Sequence, residues 1–328
     1  MDERQLKELV ADTGRILLEK KLVARTWGNI SARCDEKRFV ISPSGLGYEH
    51  MTAEDVPVYD FANETWEGSR KPSSEKKVHA AAYRTYPDVQ FVIHTHQDYA
   101  TAIGLVGTEG LKMTDEEKEI LGPIEVAAYG LPGTKKLCAN VETALRKGSK
   151  VVLMKHHGAV ILGEDRDDTI RKAEVLEQVC ERAVTEKLQG MESALATETV
   201  DPKLLNAGSG MGVLATGDVL YMAKYGGFKA QLDDMAQMLG RKIRAVENDN
   251  DAILKALNKS DAVLVKNVGC VILTEQPDDV EALKLLIAKA ATAKRYTLAC
   301  NVNTQLSAFD CALMRRVYKM KYSKQKEG

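Results

Sequence analysis

Between residues 4 and 20 the apolar positions Leu6, Leu9, Val10, Ile16, Leu17 and Leu18 recur near helical spacing. Lys20-Lys21 follow where cations suit the helix dipole, so a scaffold helix is predicted there. The pattern then shortens to strand length. Thr26–Arg33 and Arg38–Ser42 read as two strands joined by a Cys34–Lys37 turn, Asp55–Asp60 as another strand, and Trp66–Lys71 as a polar loop. After Pro72 a helix is expected, capped by Ser73 or Ser74, with Glu75 in its first turn and Val78, Ala81, Ala82 and Tyr83 as its apolar stripe. Phe91-Val92-Ile93 suits a buried strand and runs into His94-Thr95-His96. Gln97–Leu105 reads as a short helix, and Gly107–Gly122 as a polar, poorly patterned loop of lid length. Strands are predicted at Pro123–Ala128, 150–155 and Ala159–Leu162, and helices at Lys135–Lys147 and Thr169–Leu188. The alternation makes an α/β chain, and its short connections favour a largely antiparallel sheet.

Past residue 190 the apolar periodicity fades into Thr, Asn, Ser and Gly, which places a linker at 191–210 between a first domain, 1–190, and a second, 211–328. The second domain partly repeats the first. Aligned without gaps, Ser149–Asp168 and Ser260–Asp279 are identical at eleven of twenty positions, among them Leu153/Leu264, Gly158/Gly269 and Val160-Ile161-Leu162/Val271-Ile272-Leu273. Asn267 and Val268 stand where the first copy has His156 and His157, and no histidine follows residue 210. The second domain is therefore expected to be a smaller, related α/β unit without a metal.

Charge narrows the range of partners. Lys+Arg 46 against Asp+Glu 47, with 5% aromatic residues, suggests neither a nucleic-acid groove nor a polybasic membrane surface, so a small-molecule substrate is expected. The six cysteines are scattered with no C-x-x-C pair, as in a reduced, cytoplasmic protein. The charged amino terminus lacks a signal peptide's apolar core, and no run of 18 apolar residues follows.

Histidine placement carries the chemistry. On a strand, His94 and His96 project to one face, about 7 Å apart along the chain, a span one metal ion can bridge. Alone, such a pair is better read as a core histidine beside a surface one. A second cluster, His156-His157-Gly158, ends another apolar run, so four of six histidines sit at two strand ends. Three imidazoles with one open position make a catalytic zinc arrangement. The turn Ser42-Pro43-Ser44-Gly45-Leu46-Gly47 offers amides and hydroxyls that suit an anion.

Taken together, Thr26-Trp27-Gly28-Asn29-Ile30-Ser31, Ser42-Pro43-Ser44-Gly45, Ser73-Ser74-Glu75, His94-Thr95-His96 and His156-His157-Gly158 resemble, in order, the motifs of the class II aldolase/adducin family. The resemblance implies a three-layer fold with a central, mainly antiparallel sheet flanked by helices, commonly assembled as a homo-oligomer. It implies metal-dependent retro-aldol cleavage of a phosphorylated sugar or related hydroxycarbonyl compound. It makes His94, His96 and His157 the ligands of Zn2+ (or Mn2+ or Co2+), leaves His156 structural, and casts Glu75 as the acid/base. Gly28, Asn29, Ser44, Gly45, Ser73 and Ser74 match the family's phosphate-binding positions. Epimerase or decarboxylase chemistry on the same metal, and a non-catalytic adducin-like module, are the alternatives. Family aldolases use a tyrosine in the loop after the His-x-His strand, whereas Gly107–Gly122 contains none and Tyr129 is the nearest.

Overall fold

Phe91–Thr95 forms β5, buried at every position, and the first unit is laid down around it. The computed structural model describes residues 1–201, 204, 210–274 and 278–325, without the side chains of 278 and 321–325. It divides into two units, Met1–Val184 and Thr185–Gly328.

The first unit opens with α1 (Glu3–Glu19), where Asp2 and Gln5 form a capping box and Leu6, Val10 and Leu17 are buried. There follow β1 (Asn29–Arg33), β2 (Arg38–Ile41), β3 (Val58–Asp60), β4 (Thr65–Glu67), α2 (Lys76–Thr85), β5, α3 (Asp98–Val106), α4 (Asp115–Leu121), β6 (Ile124–Ala127), α5 (Lys135–Leu145), β7 (Val151–Met154), β8 (Gly158–Gly163) and α6 (Arg166–Leu188). The strands make one sheet in the order β4-β3-β2-β1-β5-β8-β7-β6. Of its pairs only β6–β7 is parallel among the described residues. The expected α/β fold with a mainly antiparallel central sheet is thus present.

Both faces of the sheet are apolar, and helices cover both. Val92, Val152, Val160 and Leu162 project to one side and pack with Val78, Ala82 and Tyr83 of α2 and Leu137, Val141 and Leu145 of α5. Leu153 projects to the other, against Gly104 of α3, and α1 lies on β1 and β2.

Two local expectations are corrected. The polar stretch Trp66–Lys71 is not all loop, because Thr65–Glu67 pairs with β3 as an exposed edge strand. The segment Gly107–Gly122 is not structureless either. Thr114 and Glu117 form a capping box that starts α4, and Arg182 holds Glu117 (2.8 Å) and the Lys112 carbonyl (3.0 Å).

The second unit contains β9 (Met211–Leu214), α7 (Gly217–Lys224), β10 (Gly227–Lys229), α8 (Asp233–Met238), β11 (Lys242–Val246), α9 (Asn250–Leu257), β12 (Ala262–Val265), β13 (Gly269–Leu273), α10 (Asp278–Ala299) and α11 (Ala308–Gln325). Its sheet order is β10-β11-β12-β13-β9, with β11–β12 parallel. Part of the stretch assigned to a linker packs here. Thr197 and Glu198 donate their amides to the Asn267 carbonyl, and Val200 and Leu204 join Val263, Val265, Val268 and Val271 in the core. Among the described residues no helix is long and apolar enough to cross a membrane.

Candidate metal centre

The centre lies where β5 and the β7–β8 hairpin end side by side. Antiparallel pairing sets His94 opposite Val160 and Thr95 opposite Ala159, which brings the turn carrying His157 beside the end of β5. The turn is tight. His156 takes a left-handed φ of 70°, and a β-carbon on Gly158 would lie 2.1 Å from the Thr95 carbonyl oxygen, so only glycine lets the strands approach this closely. Beyond His96 the chain enters α3, whose first amides, Tyr99 and Ala100, donate to the Glu177 carboxylate at 2.8 and 2.9 Å. The strand end is held from both sides.

Three imidazoles converge there. Nε2 of His94 is 3.0 Å from Nε2 of His96 and 3.1 Å from Nε2 of His157, and the three side chains offer ligand atoms within 4.8 Å of one another. His94 donates its Nδ1 hydrogen to the Ala159 carbonyl (2.9 Å), which turns its Nε2 toward the cluster. Ligands about 2.0–2.1 Å from a tetrahedral zinc ion would be roughly 3.3 Å apart, near the spacing found. The donor set therefore fits a divalent cation. Trp27 stacks near His96 with ring centroids 6.3 Å apart.

Glu75 completes the group. It sits just before α2 rather than in its first turn and makes no capping bond with its side chain. Its Oε2 is 3.1 Å from His94 Nε2 and its Oε1 is 3.1 Å from His157 Nε2. Burial alone would raise this carboxyl. The imidazoles of His157 and His94 against its two oxygens outweigh burial and hold it well below the usual carboxylate range.

The other predicted positions gather at the same end of the sheet. Gly28, with φ 84°, lies where a β-carbon would meet the His94 carbonyl at 2.4 Å. A bridge between Pro43 and Pro72 sets the Ser44-Gly45 turn beside Ser73-Ser74, and the Ser73 hydroxyl accepts from the Glu75 amide at 3.2 Å. Asn29 uses both ends of its side-chain amide internally, donating to Glu75 Oε2 at 3.1 Å and accepting from His79. His156 turns away from the cluster, its ring edge-on to Tyr129 at 5.2 Å. His79 is the residue that motif reading passed over. The signal was its place one helical turn after Glu75.

A sequence profile of the Class II Aldolase and Adducin N-terminal domain matches residues 8–184. This chain belongs to that family. Among solved structures, an L-fuculose 1-phosphate aldolase is 29% identical, covering 57% of this chain and 88% of its own length at a TM-score of 0.53. YgbL of Klebsiella pneumoniae, described as a candidate aldolase/epimerase/decarboxylase, is 24% identical over 58% of this chain and 93% of its own (TM-score 0.52), and its Escherichia coli counterpart 21% over 58% and 92% (0.51). These two share the fold with the class II aldolase unit described above.

Proposed function

We propose that the chain is a divalent-metal-dependent lyase that cleaves a phosphorylated sugar, or a related hydroxycarbonyl compound, by retro-aldol chemistry. The observation that carries this reading is the convergence of three imidazole Nε2 atoms and one ionised, buried carboxylate at a single point of a class II aldolase fold. His94, His96 and His157 would hold the cation, and zinc suits an all-imidazole set best. When bound, the cation supplies positive charge that stabilises oxyanion character developing on the substrate's hydroxycarbonyl oxygens.

The remaining work falls to the chain itself. In the condensation direction Glu75 removes a proton from the carbon beside the carbonyl, and in cleavage it returns that proton. Gly28, Ser44, Gly45, Ser73 and Ser74 would seat the phosphate, using turn amides, hydroxyls and the start of α2. Asn29, with its side chain engaged, would join them only through its main chain. A fixed phosphate orients the carbon to be deprotonated against the Glu75 carboxylate. The register of β5, β8, β12, β13 and β9 supports reading 211–328 as a partial second copy without ligands, after a metal-binding domain at 1–190.

Incubating the purified protein with a panel of phosphorylated ketoses headed by L-fuculose 1-phosphate, with product analysis by NMR, tests the reading. Cleavage to an aldehyde and a ketose-derived fragment is expected, and Glu75→Gln should lower turnover about 10²–10⁴-fold while the protein stays folded. An isomeric sugar or carbon dioxide as product would move the assignment to epimerase or decarboxylase. Turnover undiminished in Glu75→Gln would take the proton from this carboxylate.

A further inference from the structure

Behind the imidazoles a buried line of polar side chains runs from Glu75 into the core. Glu75, His79 and Tyr83 are spaced by four along α2 and the residue before it, and Asn29 and Ser31 are spaced by two on β1. Helix and strand periods thus bring the five together as rungs of one ladder. The contacts are continuous. Tyr83 Oη lies 2.8 Å from Ser31 Oγ, and Ser31 Oγ 2.6 Å from His79 Nδ1. His79 Nε2 meets Asn29 Oδ1, and Asn29 Nδ2 is 3.1 Å from Glu75 Oε2. All five residues are buried, and the Phe39 ring stacks on His79 with centroids 6.3 Å apart.

The direction of this line follows from its end. An ionised carboxylate only accepts, so Asn29 must present its NH2 to Glu75 and its carbonyl oxygen to His79. That oxygen needs a donor, so His79 carries its hydrogen on Nε2. Nδ1 then accepts from the Ser31 hydroxyl, whose oxygen accepts from Tyr83. Burial, together with the nearby His94, pushes His79 down to about 3, so the ring is neutral and this tautomer is well defined. With an acceptor in place of the Nε2 hydrogen, the Asn29 amide would turn over and set its oxygen against a carboxylate oxygen, two acceptors face to face in a buried site.

We propose that His79 is the positioning residue of this centre, fixing the Asn29 amide and through it the Glu75 carboxylate against His94 and His157. The proposal rests on reading Glu75 as the group that moves the substrate proton. His79 touches neither substrate nor cation. Its role is to keep the carboxylate in one orientation.

Two substitutions separate positioning from packing. His79→Phe keeps a ring against Phe39 and removes both hydrogen bonds, whereas His79→Gln restores one donor and one acceptor. The assay is deuterium exchange into dihydroxyacetone phosphate followed by NMR, alongside metal content and imidazole 15N shifts of the metal-free protein. The wild type should show His79 as the neutral Nε2–H tautomer from pH 5 to 8. His79→Phe should lose about 10–100-fold in the exchange rate at saturation, with KM and metal content changed less than about threefold, and His79→Gln should recover most of the loss. A wild-type rate in His79→Phe, an Nδ1–H tautomer, or equal losses in both variants would overturn the proposal. Should His79→Phe not fold, the tautomer and the His79→Gln rate still decide it. Failure of the underlying reading looks different, because the wild type or Glu75→Gln would then break the expected exchange pattern while the tautomer stands.

Discussion

Two hairpins in this chain share a backbone and differ in what they carry. β7–β8 pairs Met154 with Gly158, and β12–β13 pairs Val265 with Gly269. Each turn holds a non-glycine residue in the left-handed region, His156 at φ 70° and Asn267 at 65°. Each ends on a glycine pressed by the neighbouring strand, with Thr95 O 2.1 Å and Leu214 O 2.3 Å from where a β-carbon would stand. β7 has a parallel partner in β6, and β12 has one in β11. By register, however, Val213 occupies the place of His94, Ala215 that of His96, and Val268 that of His157. The shared features are those the backbone demands, and the differing ones are those only a ligand would demand. The comparison therefore separates folding constraints from chemical ones within a single sequence.

The sharpest way to break that separation is at the paired turn positions. His157→Ala should abolish stoichiometric metal, from close to one divalent ion per chain to near none, because two imidazoles and a carboxylate hold zinc far more weakly than three imidazoles with it. Val268→Ala should leave metal content unchanged and cost roughly 2 kcal/mol through lost packing. Elemental analysis with denaturant titration reads both. Two ions per wild-type chain would mean that the second hairpin, or another place, also binds metal.

The glycines should behave alike where the ligands do not. Gly158→Ala and Gly269→Ala each push a methyl group into a backbone carbonyl that cannot move without breaking the sheet, and Gly269 adds a φ of 122° that alanine resists. Each is expected to cost about 3 kcal/mol or more, against about 1 kcal/mol for an exposed control such as Gly110→Ala, whose added β-carbon meets nothing within 4 Å and which carries only its φ penalty. Thermal melts compare them. If Gly158→Ala alone is damaging, the two turns are not equivalent in the way the register implies.

Much of this was legible beforehand, for reasons that differ by residue. The apolar strands and the His-x-His face follow from period-two alternation, and the eleven matching positions exposed the related hairpins. The edge strand β4 was hidden because all three of its residues are exposed, so no burial pattern marks it. The helix α4 was signalled by Thr114-x-x-Glu117 but lies in a stretch with only Leu121 buried, where capping rather than hydrophobicity carries the information. Asn29 and His79 could not be joined by motif reading, since their contact depends on how β1 and α2 lie across the sheet.

The smallest expected effect concerns acid stability, where the two units should part because buried histidine exists in one alone. In the folded chain His79 is held at about 3, against 6.5 when exposed. Between these values the unfolded chain binds a proton that the folded one refuses, so stability rises with pH across this window and is lost as pH falls through it. Each pH unit should cost about 1.4 kcal/mol once the unfolded histidine is protonated. Glu75, held below 4.5, contributes in the same direction only as pH falls under that value, so between pH 4.5 and 6 the difference between the wild type and His79→Gln reads the contribution of His79. Hydrogen-exchange protection, corrected for intrinsic rates, should fall close to tenfold per unit at β5 amides in this range. It should stay nearly flat at Val263–Val265 and Val271, and in His79→Gln the β5 slope should become shallower. An equal slope at both hairpins, or an unchanged slope in His79→Gln, would show that the acid sensitivity of the first unit arises elsewhere than in the ladder behind Glu75.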